Sequence, residues 1–170
     1  MKRTIAFAGC ALLAACATTP PEPAPAASDA DRAAILAIID DMFDALETRE
    51  PDRWRPYFID GTVRVVAFAG PDGADMVQIR TPEEHMAGLA GDGPRLLERY
   101  WGPVVLSDGR IAMAWTPYDF YVDGDFSHCG TNLFEFVRAD GQWKVANLSW
   151  SMKREDCPDS PLGPAPPPPG

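Results

Sequence analysis

Apolar residues recur at three- and four-residue spacing early in the chain and predict an amphipathic helix that Ser28 can cap. The apolar positions of this helix are Ile35, Ile38, Ile39, Met42, Phe43 and Leu46. A short second helix is predicted at EPDRWRPYF, residues 50–58. A third is predicted at TPEEHMAGL, residues 81–89, where Thr81 and Glu84 match a capping box.

Six further segments are rich in β-branched and aromatic residues and predict strands. They are TVRVVAF (62–68), MVQIR (76–80), RLLERYWGPVVL (95–106), IAMAWTPYDFYV (111–122), FSHCGTNLFEFVRA (126–139) and QWKVANLSWSM (142–152). Asp-Gly pairs separate the last four segments and are typical of tight hairpin turns. The pattern therefore predicts an α+β fold, with three helices packed on one face of a curved mixed or antiparallel sheet of about six strands.

This order of elements, together with the run DGQWKVANLSWS at residues 140–151, resembles the NTF2-like superfamily. That superfamily includes SnoaL-like and ketosteroid-isomerase-like proteins, and the resemblance covers residues 28–153. It implies a cone with a pocket between the helices and the sheet. It does not imply one function, because such folds host isomerases, dehydratases, hydrolases and proteins with no chemistry.

The N-terminal residues resemble a bacterial lipoprotein leader. Two basic residues precede an apolar run too short to span a membrane, and the run ends in Leu-Ala-Ala-Cys at Cys16. We therefore expect a signal peptide at 1–15, lipid on Cys16 and a Pro/Ala-rich tether at 16–28. An ordinary secretory signal is the alternative. The lipoprotein interpretation implies a periplasm-facing envelope protein, with Ala17 favouring the outer membrane.

The remaining regions are the domain at 29–157 and a proline-rich segment at 158–170. We expect that last segment to be a disordered tail, with a polyproline ligand as the alternative. Without the leader, the chain has 13 basic and 25 acidic residues, a net charge of −12. This charge argues against nucleic-acid partners. Membrane contact is expected only through the lipid anchor. The motifs indicate no metal site and no cofactor.

Two cysteines remain in the exported domain once Cys10 leaves with the signal and Cys16 takes lipid. Cys129 and Cys157 are therefore expected to form a disulfide, since thiols oxidise in an exported protein. Two free thiols are the alternative. The bridge would hold the segment after the last strand against the outer face of the sheet.

Two-residue turns at Asp123-Gly124 and Asp140-Gly141 would set the register of the last three strands. Asp119 would then lie opposite His128. In the resembled family, the Trp and Val of the Gly-x-Trp-Lys-Val run point inward, which assigns one face to the pocket. The predicted ligand-binding residues on that face are Trp115, Tyr121, Asn132, Phe134, Asn147 and Ser149. A packed core with satisfied polar groups is an equal alternative.

The opposite face would then carry Tyr118, Phe120 and Trp150. Such an apolar patch, together with the resemblance, suggests a homodimer through the sheet, with a covered or amphipathic monomer face as the alternative. His85, in the third helix, is expected to face solvent.

Three functions compete at this stage. The first is an envelope protein that binds a small apolar or aromatic ligand without chemistry. The second is an isomerase, dehydratase or hydrolase that uses Asp119 and His128 as catalytic acid and base, with Glu98 as a possible neighbour. The third is an interaction module that uses the outer face. A purely structural Asp119–His128 pair is favoured slightly over catalysis, because no third catalytic group is evident.

Overall fold

The computed structural model describes residues 24–167. Its helices are α1 (Asp29–Glu47), a 3₁₀ helix (Pro51–Tyr57) and α2 (Pro82–Leu89). The Ser28 hydroxyl accepts a hydrogen bond from the Asp31 amide at 3.1 Å, as a helix cap does. Thr81 and Glu84 form the reciprocal capping box that the sequence predicts. Local signals therefore suffice to start both α-helices at the observed positions.

Seven strands form one curved, mixed sheet. They are β1 (Phe58–Ala69), β2 (Asp75–Arg80), β3 (Leu96–Tyr100), β4 (Val104–Ser107), β5 (Ile111–Val122), β6 (Asp125–Ala139) and β7 (Gln142–Met152). The spatial order is β2-β1-β7-β6-β5-β3, and β4 also pairs with β5. Only the β1–β7 pair is parallel. The predicted strand 95–106 is divided because Gly102 has a φ of +52° and Pro103 lacks an amide hydrogen.

The core lies between α1 and the inner face of this sheet. Ile35 and Ile39 of α1 are fully buried, and they belong to one cluster with Phe134, Phe136 and Val145 of β6 and β7. Each such side chain contributes about 1.5–3 kcal/mol by leaving water. Because the apolar stripe of α1 covers only part of the inner face, the rest of that face is available to line a cavity.

The hairpin of β5 and β6 contains a one-residue bulge that the predicted register lacked. Tyr121 still pairs with Phe126, but Phe120 pairs with His128, so Ser127 is the extra residue. Asp119 consequently pairs with Cys129. The predicted Asp119–His128 pair is therefore wrong, because one inserted residue moves every later side chain to the other face.

The hairpin of β6 and β7 has a second bulge. Phe136 pairs with Val145 as predicted, but Glu135 pairs with Asn147, so Ala146 is the extra residue. Beyond it, the cross-strand pairs are Phe134–Leu148, Leu133–Ser149 and Asn132–Trp150. Bulges of this kind bend and twist a sheet, and a sheet that curves around a cavity needs such bends. They reverse the predicted faces of residues 147–150.

Both ends of the described chain lie on the sheet. Ala26 forms a bridge with Leu106, so the last tether residues extend along β4. Cys129 and Cys157 form the predicted disulfide, with their Cα atoms 5.9 Å apart. The tail expected to be disordered continues to residue 167, and the Arg99 guanidinium donates to the Gly163 carbonyl oxygen at 3.0 Å.

The predicted signal peptide and Cys16 lie outside the described residues. Within residues 24–167, no helix is long and apolar enough to cross a membrane. In the same range, no cluster of three or more His, Cys, Asp or Glu side chains could hold a metal ion.

Candidate functional site

A cavity of about 300 Å³ lies between the helices and the inner face of the sheet. Its lining is mainly aromatic and aliphatic, with a few polar and charged groups at defined positions. The lining residues that carry the argument are Phe43, Trp54, Arg64, His85, Glu98, Phe120, His128, Asn132, Phe134 and Trp150. An apolar cavity of this size with few polar groups has the general character of a small-molecule site.

Cross-strand pairing sets the positions of these side chains. Glu98 on β3 is paired with Phe120 on β5, and Phe120 with His128 on β6, so the three form one row. A second row continues from Asn132 on β6 to Trp150 on β7. Residues in one row lie side by side on the same face of the sheet. The sheet thus places an acid, an imidazole and an amide on one wall of the cavity.

Glu98 is a carboxyl group on this wall with a perturbed pKa. The Asn132 side-chain amide donates to Glu98 Oε1 at 2.7 Å. Burial raises the pKa of the Glu98 carboxyl to about 7, against the opposing effect of the Asn132 hydrogen bond, and the Asp119 charge adds to the increase. A carboxyl that titrates near neutrality can either donate or accept a proton under ordinary conditions.

His128 lies at the other end of this row, with Phe120 between it and Glu98, and it is held by aromatic contacts. Its ring stacks on Phe120 with the centroids 4.6 Å apart, and it meets the Tyr118 ring edge-on at 5.8 Å. Burial, and to a lesser degree Arg154, lowers the pKa of His128 to about 4. The imidazole is therefore neutral near pH 7, and its Nδ1 lies 3.0 Å from Ser127 Oγ, within hydrogen-bond distance.

His85 faces the cavity, so the prediction that it faces solvent is wrong. Its ring lies between Trp54 and Trp150, with centroid distances of 5.9 and 5.6 Å. Burial lowers the pKa of His85 to about 3, and the charges of Arg64 and Arg80 contribute. The first turn of α2, fixed by its capping box, positions this side chain over the inner face.

Arg64 is the most deeply buried charged residue of the cavity wall, with 1% of its surface exposed. Its guanidinium carbon lies 4.7 Å from the ring centroids of both Trp54 and Phe58. Burial lowers the pKa of Arg64 to about 10, although Glu83 opposes this effect. The side chain nevertheless remains a cation near pH 7.

Three of the eight predicted catalytic and ligand-binding residues line this cavity, namely His128, Asn132 and Phe134. The remaining five lie on the opposite face of the sheet, because the two bulges shift the register of the strands. They are Trp115, Asp119, Tyr121, Asn147 and Ser149. Conversely, Tyr118, Phe120 and Trp150 were assigned to the outer face, and they line the cavity. Those three residues therefore cannot form the predicted dimer patch, although the homodimer itself stays a prediction.

Asp119 is part of a separate cluster on the outer face. Arg99 donates two hydrogen bonds to its carboxylate, with Nε–Oδ1 and Nη2–Oδ2 distances of 2.9 and 2.5 Å. Tyr121 and the tail carbonyl oxygens of Gly163 and Pro164 accept further hydrogen bonds from Arg99. This network satisfies the buried aspartate and connects the tail to β3 and β5.

Sequence reasoning missed Arg64, Trp54 and the inward orientation of His85. A charged residue within the β-branched run TVRVVAF was the available signal for Arg64, because a central strand rarely carries an unpaired arginine. Glu98 was named only as a possible neighbour, since the interruption at residues 101–103 made its register uncertain. None of these positions could be assigned before the strand order was known.

Comparisons with known proteins concern the fold. No protein-family model matches the chain, and no curated protein matches its sequence. Among solved structures, it is similar to an NTF2-like protein of unknown function from Pseudomonas putida KT2440, at 18% identity and a TM-score of 0.58. That match covers 76% of this chain and 91% of the other.

Two structures from Novosphingobium aromaticivorans are also similar, each at 14% identity with a TM-score of 0.57. One is an NTF2-like protein with a cystatin-like fold, matched over 75% of this chain and 84% of its own. The other is a protein provisionally named a scytalone dehydratase, matched over 79% and 93%. At these identities the likeness concerns architecture alone. The chain therefore has the α+β NTF2-like fold, with helices on a curved mixed sheet, that its sequence predicts.

Proposed function

We propose that this protein is a lipid-anchored envelope protein whose NTF2-like domain binds a small apolar or aromatic molecule. The observation that carries the proposal is the aromatic-lined cavity of about 300 Å³. A protein that used this fold only as a scaffold would gain stability by filling such a space, since voids are costly. The lipoprotein-like leader supports the location in the envelope.

The polar groups of the cavity suit binding with a fixed orientation. Glu98 and Asn132 form one polar point, and His128, separated from Glu98 by Phe120, is a second polar group that is neutral near pH 7. The rings of Phe120, Phe134 and Trp150 supply apolar surface around them. Aromatic faces with a few convergent polar groups favour a flat, mainly apolar ligand that carries a polar substituent.

A cavity-filling variant tests ligand binding. Val66 lines the cavity and is 8% exposed, whereas the adjacent Val65 lies on the outer face. A panel of naphthalene derivatives should contain compounds that raise the melting temperature of the wild type. Val66→Phe should abolish these shifts, and the matched control Val65→Phe should keep them. Binding that survives Val66→Phe, or a wild type that binds no compound, would refute the proposal.

The anchor has a separate test. Mass spectrometry of the mature protein should find a lipidated N-terminal residue at Cys16, and Cys16→Ser should release the protein from the membrane fraction. A mature N-terminus elsewhere, or an unmodified Cys16, would contradict the anchor without affecting the cavity.

Acid–base catalysis is a second candidate, favoured by one observation. The Glu98 carboxyl faces the cavity, and its pKa is raised to about 7. Glu98 replaces the predicted Asp119 as the proton-transfer group, because Asp119 is bound to Arg99 on the outer face. The similar structure provisionally named a scytalone dehydratase makes this chemistry worth testing.

Hydrogen exchange distinguishes the two candidates. An acid–base enzyme should incorporate deuterium from D₂O into a bound carbonyl compound at the carbon next to the carbonyl group. Glu98→Gln should abolish this incorporation while it preserves binding, because the amide keeps the hydrogen bond from Asn132. A wild type that binds the compound but exchanges no hydrogen would leave simple binding as the function.

A further inference from the structure

Arg64 is a buried cation without a hydrogen-bond acceptor. It lies in β1, and its cross-strand partners are Leu148 on β7 and Arg80 on β2. Its three guanidinium nitrogens are shielded from solvent, and none has a hydrogen-bond partner within the described part of the chain. A guanidinium carries five N–H donors, and buried donors are nearly always paired in folded proteins.

Other arginines of the domain are neutralised in the ordinary way. Five of them form ion pairs with carboxylates, namely Arg53, Arg55, Arg95, Arg99 and Arg138. Arg138 is a close parallel to Arg64, because it also lies over an aromatic ring, that of Trp143, at 4.5 Å. However, Arg138 is paired with Asp31, whereas the Arg64 guanidinium forms no ion pair or hydrogen bond within residues 24–167 and lies against the Trp54 and Phe58 rings.

The fold alone does not explain a charge at position 64. Aromatic rings attract a guanidinium through their faces, but they leave its N–H groups without acceptors. A methionine of similar length would fill the same space without a desolvation penalty, and such replacements are often neutral or stabilising. A residue that costs stability and lies in a cavity wall is better explained by a ligand.

Two other polar residues lie at the same end of the cavity as Arg64. Arg80, the partner of Arg64 on β2, lines the cavity and is exposed. His85 Nδ1 is a second buried polar atom with no partner among the described residues. Two cations and an unpaired imidazole nitrogen therefore occupy the β1–β2 end, while Glu98 and Asn132 lie on the β3–β6 side.

We propose that the ligand of this cavity is a carboxylic acid on an aromatic or apolar body, and that Arg64 binds its carboxylate. This inference rests on the proposed ligand-binding function and names its chemical class. A carboxylate matches the planar fork of a guanidinium and satisfies two of its donors at once. The apolar body would lie against Phe120, Phe134 and Trp150.

Binding requires a small local rearrangement. Water does not reach the Arg64 nitrogens, so solvent cannot take the place of the missing acceptor. The carboxylate must therefore displace a lining side chain, and rotamer changes of this kind are common when ligands bind. Arg80, at the exposed edge of the site, can attract the anion before it enters.

Calorimetric titration of the full chain with two matched probes tests the proposal. The probes are 2-naphthoate and its neutral isostere 2-naphthamide. The wild type should bind the acid roughly 10- to 100-fold more tightly, as expected for hydrogen bonds between charged partners. Arg64→Met should remove this preference and keep naphthamide binding. Arg64→Lys, which keeps the charge but loses the fork, should retain part of the preference.

Arg138→Met is the matched control, since Arg138 also lies over an aromatic ring and does not line the cavity. It should lower the melting temperature, because it removes the ion pair with Asp31, and it should not alter the preference for naphthoate. Arg64→Met should melt at or above the wild-type temperature. This combination of unchanged stability and lost selectivity separates a ligand-binding role from a structural one.

Three outcomes would overturn the inference, and they are distinguishable. Equal affinity of the wild type for naphthoate and naphthamide would reject the carboxylate while it leaves the ligand cavity intact. Failure of both probes to bind, together with an unresponsive naphthalene panel, would reject the cavity function as well. A large drop in melting temperature for Arg64→Met would show that Arg64 is structural.

Discussion

Replacing Glu98 by glutamine should stabilise the protein at alkaline pH and have little effect on stability in acid. Folding raises the pKa of the Glu98 carboxyl from its ordinary value of 4.5 to about 7. The folded state therefore holds this proton more tightly than the unfolded chain does. The stabilising contribution of the protonated carboxyl is complete below pH 4.5 and is lost as the pH rises through about 7.

The size of the effect follows from the shift. At 1.36 kcal/mol per pKa unit, ionised Glu98 costs about 3 kcal/mol of folding free energy above neutrality. The cost falls to about 2 kcal/mol if water in the cavity screens the charge. Glutamine has nearly the same shape, carries no charge and can keep the hydrogen bond from Asn132, so it should recover most of this energy.

Urea unfolding of the wild type and Glu98→Gln at about pH 5 and about pH 8.5 measures the difference directly. His85 and His128 have lowered pKa values, so their contribution is present above their ordinary pKa of 6.5 and is lost as the pH falls below it. Both proteins share that contribution, and it cancels in the comparison.

Glu98→Gln should therefore gain about 2–3 kcal/mol over the wild type at the higher pH and much less at the lower pH. Glu155→Gln, at an exposed position, is the control and should show no such pH dependence. If the gain of Glu98→Gln were the same at both pH values, folding would not raise the pKa of Glu98, and the acid–base candidate would lose its basis.

Three further predictions concern the outer face and the strand junctions. Cys157→Ser should lower the free energy of unfolding by about 3–4 kcal/mol, because the bond to Cys129 closes a loop with a sequence separation of 28; denatured wild-type protein should contain no free thiol from this pair. Asp119→Asn should lower the free energy of unfolding by about 3–5 kcal/mol, because it leaves Arg99 without its charge partner. Binding of the naphthalene derivatives should stay unchanged, and weakened binding would instead connect this cluster to the cavity. Gly130→Ala should destabilise the fold by about 1–3 kcal/mol, since the added methyl carbon would lie 1.9 Å from a backbone carbonyl oxygen of β7. Thermal unfolding followed by circular dichroism tests this, and an unchanged melting temperature would contradict it.

Local chemistry is sufficient to locate most elements of this protein from its sequence. The cap at Ser28, the capping box of α2 and the Asp-Gly turns depend on residues a few positions apart, and all are observed. The disulfide between Cys129 and Cys157 also follows from the sequence, because the domain at 29–157 contains only these two cysteines. Such features need no knowledge of the strand order.

The face of each strand residue was decided by the tertiary structure. Ser127 and Ala146 are each a single inserted residue, and nothing in their local sequence identifies them as bulges. Because side chains alternate with a period of two, each insertion moves a whole strand segment from one face to the other. For this reason Asp119 was predicted in the pocket and lies outside it, whereas Trp150 was predicted outside and lines the cavity.

The charges of the cavity depend on contacts between distant parts of the chain. Arg64 is buried because Trp54 and Phe58 enclose it, and Glu98 acquires its raised pKa because β3 is carried into the cavity wall beside β5. The sequence by itself determined which segments become helices, strands and turns, since those preferences are local. Only the curvature of the assembled sheet decided which side chains meet inside it, because curvature arises from packing across the whole domain.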